Sequence, residues 1–288
     1  MRRPVNEVLP DALEYFQYSA ARLRPHLWHI HDATRDHPPG EQPDGSFHSP
    51  SSTYMIEDEG EVLVIDLGVP TQDTHLRELV ERIAGGRSIK AALTHNHFDH
   101  TGGLEQFSDC PIYVPARDLV PGAAHPIPVS GGDVIHMPHY AVQVLDAPGH
   151  TAGSILFYEQ ARGWLATGDA FGSSYVWLLF LPDAVRIYQE TLRRTLRTLE
   201  KSEPLLFLCG HRYQQQFEPV PGIHPLSPRN PDMGLDYLRD MLVLTGQILE
   251  GRAVSRPFSA CGRDDLAAYT YGRAEIDACL PGRPPVLL

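Results

Sequence analysis

Lysine is almost absent from this 288-residue chain: Lys90 and Lys201 are the only two, and the 24 lysines and arginines together face 36 aspartates and glutamates, for a formal charge of −12. That balance repels a phosphate backbone, so nucleic acid is not an expected partner. Cysteine is scarce as well. Cys110, Cys209, Cys261 and Cys279 form no CxxC pair, which argues against a disulfide framework and against a cysteine zinc site and makes a reducing cytoplasm the expected compartment. Long apolar runs are also missing. The most apolar stretch, Val176 to Leu181, has six residues, against the roughly 20 needed to cross a bilayer. Met1-Arg2-Arg3 is followed by Pro4-Val5-Asn6-Glu7 rather than by an apolar core, so neither a secretion signal nor a membrane span is expected.

What the chain does have, between Thr53 and Ala170, is a series of short β-branched and apolar runs bounded by Gly, Pro or Asp. Thr53 to Ile56, Val62 to Asp66, Ile89 to Leu93, Ile112 to Val114, Ala141 to Leu145, Ser154 to Tyr158 and Trp164 to Thr167 read as strands. Glu59-Gly60 reads as a hairpin turn between the first two. Leu76, Leu79, Val80 and Ile83 share a helix face, with Thr71 or Asp73 as cap and Gly85-Gly86 as stop. Two further helices are expected. One starts near Pro182-Asp183 and runs to about Lys201, burying Ile187, Thr191, Leu192, Leu196 and Leu199; the other spans about Asp232 to Glu250, burying Leu235, Leu238, Met241, Leu242, Ile248 and Leu249. The mixture predicts layered α/β packing. Residues 37–52 read as a loop, and Arg252 to Leu288, rich in Gly, Pro and charge, reads as an irregular extension.

The chemistry concentrates where the Ile89 strand ends, in His95-Asn96-His97-Phe98-Asp99-His100. On an extended backbone, residues two apart point the same way, so His95 and His97 reach one metal together, while Asp99 and His100, past the turn, face a second. Two divalent ions about 3.5–4 Å apart need about six or seven nitrogen and oxygen ligands. The remaining candidates are His150, Asp169 and His211. Each follows a glycine where a strand-like run gives way to a loop, and glycine permits the tight turn that aims the next side chain into a crowded site. His26, His29, His31, His37, His48, His75, His125, His136 and His139 show no ligand spacing and read as surface or core residues, and His224 reads as part of a Pro-rich loop. Cys209, at a strand end, reads as buried.

HxHxDH followed in order by Gly-His, Gly-Asp and Gly-His resembles the metallo-β-lactamase superfamily over about residues 50–215. The resemblance implies a four-layer αβ/βα sandwich, two mixed sheets flanked by helices, within a single domain over residues 1–288 whose helical and irregular extension begins at about 216. It implies that His95, His97 and His150 hold one metal, that Asp99, His100 and His211 hold another, that Asp169 bridges them and that Asp66 supports the site from behind. Two zinc ions are the expected cofactors, with iron or manganese as alternatives. Water bound between two such ions has its pKa lowered to about 7, which gives a hydroxide able to attack an ester, thioester or lactone carbonyl. Asp99 is the expected catalytic residue, orienting that hydroxide and passing its proton towards the leaving group.

His97 to Phe107 and Pro148 to Ile155 are most similar to the branch of the superfamily that includes acyl-CoA thioesterases. Ala170 to Leu181 is dense in aromatic and aliphatic residues: it either walls an apolar pocket or packs beneath the long helix, and Tyr175 is placed to offer its hydroxyl to a substrate carbonyl. The expected substrate is therefore a small molecule with an apolar acyl group in ester, thioester or lactone linkage. The alternatives are an iron-dependent persulfide dioxygenase-like oxidoreductase and a phosphodiesterase or nuclease; the acidic balance argues against the latter. The oligomeric state is left open, a homodimer included.

Overall fold

The strands read from the sequence form the middle of two sheets in the computed structural model, which describes residues 9–33, 51–70, 72–171, 175–200, 202, 205–211 and 234–287. The first sheet runs in chain order: β1 (Ala12–Tyr15), β2 (Tyr18–Arg24), β3 (Leu27–Asp32), β4 (Thr53–Glu57), β5 (Glu61–Ile65), β6 (Ser88–Ala92), β7 (Ile112–Pro115) and β8 (Pro126–Val129). Pairing is antiparallel as far as β5 and parallel from there to β8. The second sheet joins β9 (Val134–His136), β10 (Ala141–Asp146), β11 (Ile155–Glu159) and β12 (Trp164–Gly168) antiparallel, and adds β14 (Leu206–Cys209) parallel to β12.

The pleat of each strand sorts its side chains onto two faces. Tyr54, Ile56, Leu63 and Ile65 of the first sheet meet Val142, Val144, Ile155, Phe157, Trp164 and Ala166 of the second, which makes the central core. On the far side of the first sheet, Met55, Val62, Val64 and Ala91 pack under Leu76, Leu79, Val80 and Ile83 of α1 (His75–Ala84). On the far side of the second, Leu156, Tyr158 and Leu165 pack against α3 (Ala184–Leu199) and α4 (Leu235–Leu249). The order is helix, sheet, sheet, helix. No helix among the described residues is long and apolar enough to cross a membrane.

Several expectations need correction. Arg252 to Leu287 is not irregular: β15 (Ser255–Ala260), β16 (Arg263–Tyr271) and β17 (Ala274–Cys279) form a third sheet with β13 (Val176–Leu178), in the order β13-β17-β16-β15. The residues that suggested a loop are hairpin turns and an edge. Cys261-Gly262 carries two positive φ angles, 52° and 72°, as tight hairpins favour, and Pro257 sits in the edge strand, where no ladder donor is needed. β1 to β3 were not foreseen either. In α3 the fully buried face includes Tyr188 rather than Ile187, and in α4 it includes Tyr237 and Leu244, with Leu242, Ile248 and Leu249 half-buried. The cap of α1 is Thr74, with Asp73 accepting the His75 amide at 3.0 Å. Thr71, Lys201, the foreseen helix start near Asp232, and His37, His48 and His224 lie outside the described residues.

Candidate metal centre

The loops that leave β6, β10, β12 and β14 converge where the two large sheets meet. Cross-links hold that junction: the Ile155 amide donates to the Thr94 carbonyl (2.9 Å), the Ser52 amide to the Gly210 carbonyl (2.7 Å) and the Tyr54 hydroxyl to the Cys209 carbonyl (2.7 Å). All seven residues singled out above are here, in two groups. His95, His97 and His150 form one, and Asp99, His100, Asp169 and His211 the other, with the candidate ligand atoms of each group within 4.8 Å of one another. Asp99 and His100 sit on the one-turn α2 (Phe98–Thr101). Asp169 lies between the groups: its Oδ2 is 3.2 Å from His211 Nε2 and 3.7 Å from His150 Nε2, and its Oδ1 is 3.4 Å from His100 Nε2.

Two glycines make the convergence possible. A Cβ on Gly168, which has φ +48°, would stand 2.3 Å from Thr94 Oγ1, and one on Gly210 would stand 2.0 Å from Asp169 Oδ1.

Behind the groups, one carboxylate organises both. Asp66 accepts the Thr94 amide and hydroxyl, each at 2.8 Å, and the His100 Nδ1–H at 2.9 Å. The Thr94 hydroxyl has spent its proton on Asp66, so it accepts from His95 Nδ1–H at 3.0 Å, which leaves His95 Nε2 as the bare lone pair. His150 Nδ1–H donates to the Trp177 carbonyl at 2.9 Å, leaving its Nε2 bare and 2.9 Å from His97 Nδ1. Asp66 holds φ +59°, a left-handed backbone uncommon outside glycine, Asn and Asp.

The electrostatics separate the groups. Burial, reinforced by neighbouring histidines, holds His95 well below the usual imidazole range and takes His97 to about 2; burial lowers His150 too. Those three imidazoles are neutral at physiological pH and can donate lone pairs. In the other group burial pulls His100 and His211 down, but the carboxylates of Asp169 and Asp99 outweigh it and raise both; the opposite charges keep Asp169 ionised against its own burial. Positive charge is favoured there, from protons or from a cation. His95 Nε2, His100 Nε2 and Asp169 Oδ1 are all buried with no hydrogen-bond partner, an arrangement that costs free energy unless a cation takes them up, so the donor set fits divalent metal.

Residues 48–211 match the family model of the metallo-β-lactamase superfamily. The chain belongs to that superfamily. Its layered fold is the superfamily's: a metallo-β-lactamase from Pontibacter korlensis superposes with a TM-score of 0.56 at 17% identity, covering 80% of this chain and 99% of that one. In sequence the chain is similar to hydroxyacylglutathione hydrolases. The protein of that name from Nitrosomonas eutropha is 36% identical over 155 residues, 50% of this chain and 55% of its own length. The one from Alkalilimnicola ehrlichii is 32% identical over 177 residues, 59% of this chain and 63% of its own. The chain thus spans somewhat over half the length of these curated relatives. Helix α4 and strands β15 to β17 lie beyond the superfamily match.

Asp66 stands behind the site as the sequence suggested, but other residues that hold the candidate ligands were missed. Asp118, half-buried, accepts the Thr151 hydroxyl at 2.7 Å and the Gly153 amide at 2.6 Å, and burial raises its pKa in spite of those bonds. Its neighbour Leu119 accepts from the Asn96 side chain at 3.4 Å, so one short segment ties the His95–His97 loop to the His150 loop. Nothing around Ala116-Arg117-Asp118 in the sequence signals this. Asp118→Ala is expected to cost about 3 kcal/mol or more, from the two charge-assisted hydrogen bonds lost. A melting temperature unchanged from wild type would contradict it. Cys209 is buried, its thiol pushed up to about 12, which keeps it protonated beside the site. Among the described residues no other histidine joins either group: His29 bonds Ser52 and His139 bonds Asp58.

The segment after Asp169 divides between the cores and the candidate ligands. Phe171, Leu178 and Leu179 are buried in the cores, whereas Phe180 stands edge-on to His97 and His150, with ring centroids 4.8 and 5.4 Å away, and Trp177 lies 6.4 Å from Phe180. Burial keeps the Tyr175 phenol far above its usual pKa, and so protonated. Gly172 to Ser174 are outside the described residues.

Proposed function

We propose that this chain is a dinuclear metal-dependent thioester hydrolase acting on a substrate with an apolar acyl group, and that its metals are zinc. The observation that carries the reading is the set of buried atoms that complete no hydrogen bond, His95 Nε2, His100 Nε2 and Asp169 Oδ1, at the meeting of two ligand groups. His95, His97 and His150 would hold one ion and Asp99, His100 and His211 the other, with the Asp169 carboxylate between them. An all-nitrogen and oxygen donor set rich in imidazole suits zinc. Bound metal supplies an acidified water and polarises the substrate carbonyl.

The protein's own groups do the rest. Asp66, through Thr94 and directly, fixes the tautomers of His95 and His100, so their lone pairs point where they are needed. Asp99 has a half-exposed carboxylate that orients the attacking water and carries its proton towards the leaving thiolate. Phe180 and Trp177 wall the side next to His97 and His150, and at the rim Phe98 is 66% and Leu119 87% exposed. Such a rim favours an aliphatic acyl chain over a charged one. The thioester assignment rests on the similarity to hydroxyacylglutathione hydrolases.

The test pairs elemental mass spectrometry of the purified protein with a panel of acyl-CoA and acylglutathione thioesters of increasing chain length, aryl esters, lactones and phosphodiesters. About two zinc ions per chain are expected, with thioesters turned over best. Each added methylene that becomes buried should raise kcat/KM up to about fourfold, as about 0.8 kcal/mol per CH₂ implies. One iron per chain with oxygen uptake on a glutathione persulfide would replace this reading with a dioxygenase, and cleavage of phosphodiesters alone would replace it with a phosphodiesterase.

A further inference from the structure

His150 is oriented by a carbonyl that does not belong to the ligand loops. That carbonyl is on Trp177, in the middle of the three-residue strand β13, which lies at the edge of the third sheet and pairs within it only with β17. A strand so short has few ladder bonds with which to hold its own position. The side chain of Trp177 supplies the missing constraint: its indole Nε1–H donates to Asp277 Oδ2 at 3.2 Å, and Trp177 and Asp277 are also register partners between β13 and β17. Phe258 of β15 braces the same indole, with ring centroids 6.2 Å apart. Asp277 itself is only 2% exposed, so water cannot compete for the indole proton.

We infer that Asp277 is a positioning residue for the metal centre: through Trp177 it fixes the carbonyl that sets the tautomer and ring angle of His150. The inference rests on the proposed role of His150 as a ligand. It assigns to β17, outside residues 48–211 of the superfamily match, a part in building the site. The same residue joins two functions, since the Trp177 carbonyl orients His150 while its ring backs Phe180 against His97 and His150. Partners one step removed from a metal ligand typically change metal affinity or activity about ten- to a hundredfold when lost.

The experiment is a cobalt(II) titration of the full-length metal-free protein against a competing chromophoric chelator, with the visible d–d spectrum recorded at each step. Wild type is compared with Asp277→Leu, Asp277→Asn and Trp177→Phe. Asp277→Leu and Trp177→Phe should weaken one of the bound cobalt ions, the one held by His150, about ten- to a hundredfold and shift its spectrum. Asp277→Asn keeps an acceptor oxygen for the indole and should stay within a few-fold of wild type. Trp177→Phe leaves the main-chain carbonyl and removes only the N–H, so it carries the test if Asp277→Leu does not fold. Folded leucine and phenylalanine variants that bind cobalt with wild-type affinity and spectrum overturn the inference, even if their melting temperatures fall, and leave the functional reading intact. A wild-type protein that takes up no cobalt overturns both.

Discussion

His97→Ala is expected to fold as wild type does, to bind about one metal ion fewer and to lose on the order of a thousandfold in kcat/KM, equivalent to about 4 kcal/mol of transition-state stabilisation. The fold should tolerate the change because His97 is half-buried in a loop beyond β6 and contributes to none of the hydrophobic cores. The loss falls on binding, since two histidines remain where three converged. Metal content, kcat/KM on the best thioester and the thermal melt are read on the same preparation. Turnover within tenfold of wild type would end the assignment of His97 as a ligand.

Removing residues 252–288 is expected to destroy the folded state rather than to trim it. Ala267, Tyr269, Ala274, Ile276 and Ala278 belong to the same core as Tyr188, Leu192, Leu238 and Met241 of α3 and α4. Their loss would bare that whole face. A buried side chain such as Ile276 contributes about 1.5–3 kcal/mol, so uncovering several at once matches or exceeds the about 5–15 kcal/mol by which a domain is stable. Strand β13 would lose its partner as well. Soluble yield and the cooperativity of the melt decide it. A soluble, cooperatively melting truncate with wild-type metal content would make the third sheet an appendage.

The parts of the fold legible in the sequence were those where β-branched runs stand between clear breakers, as in β4, β5, β6, β11 and β12. The N-terminal strands were hidden because Tyr18-Ser19-Ala20-Ala21-Arg22-Leu23-Arg24 has neither alternation nor β-branched residues, and it is long-range pairing with β3 that makes it a strand. β16 was hidden for a related reason: Ala267 and Ala268 pack well but carry little hydrophobic signal, and the glycines around them read as loop rather than as turn. The candidate ligands were visible because imidazoles and carboxylates crowd into one segment and recur after glycines. Thr94, Asp118, Trp177 and Asp277 were not, since each is an ordinary residue whose role comes only from a neighbour 27 to 100 positions away or, for Thr94, from the single hydroxyl that sits between Asp66 and His95.

The seam between the two large sheets divides the candidate ligands four to three. His95, His97, Asp99 and His100 come from the end of the first sheet, and His150, Asp169 and His211 from the second, so that each group draws on both. An ion held in either group would therefore tie the two sheets together across the seam. Stiffening the seam should prolong the residence of the ions, and saturating metal should raise the melting temperature by mass action on the closed form.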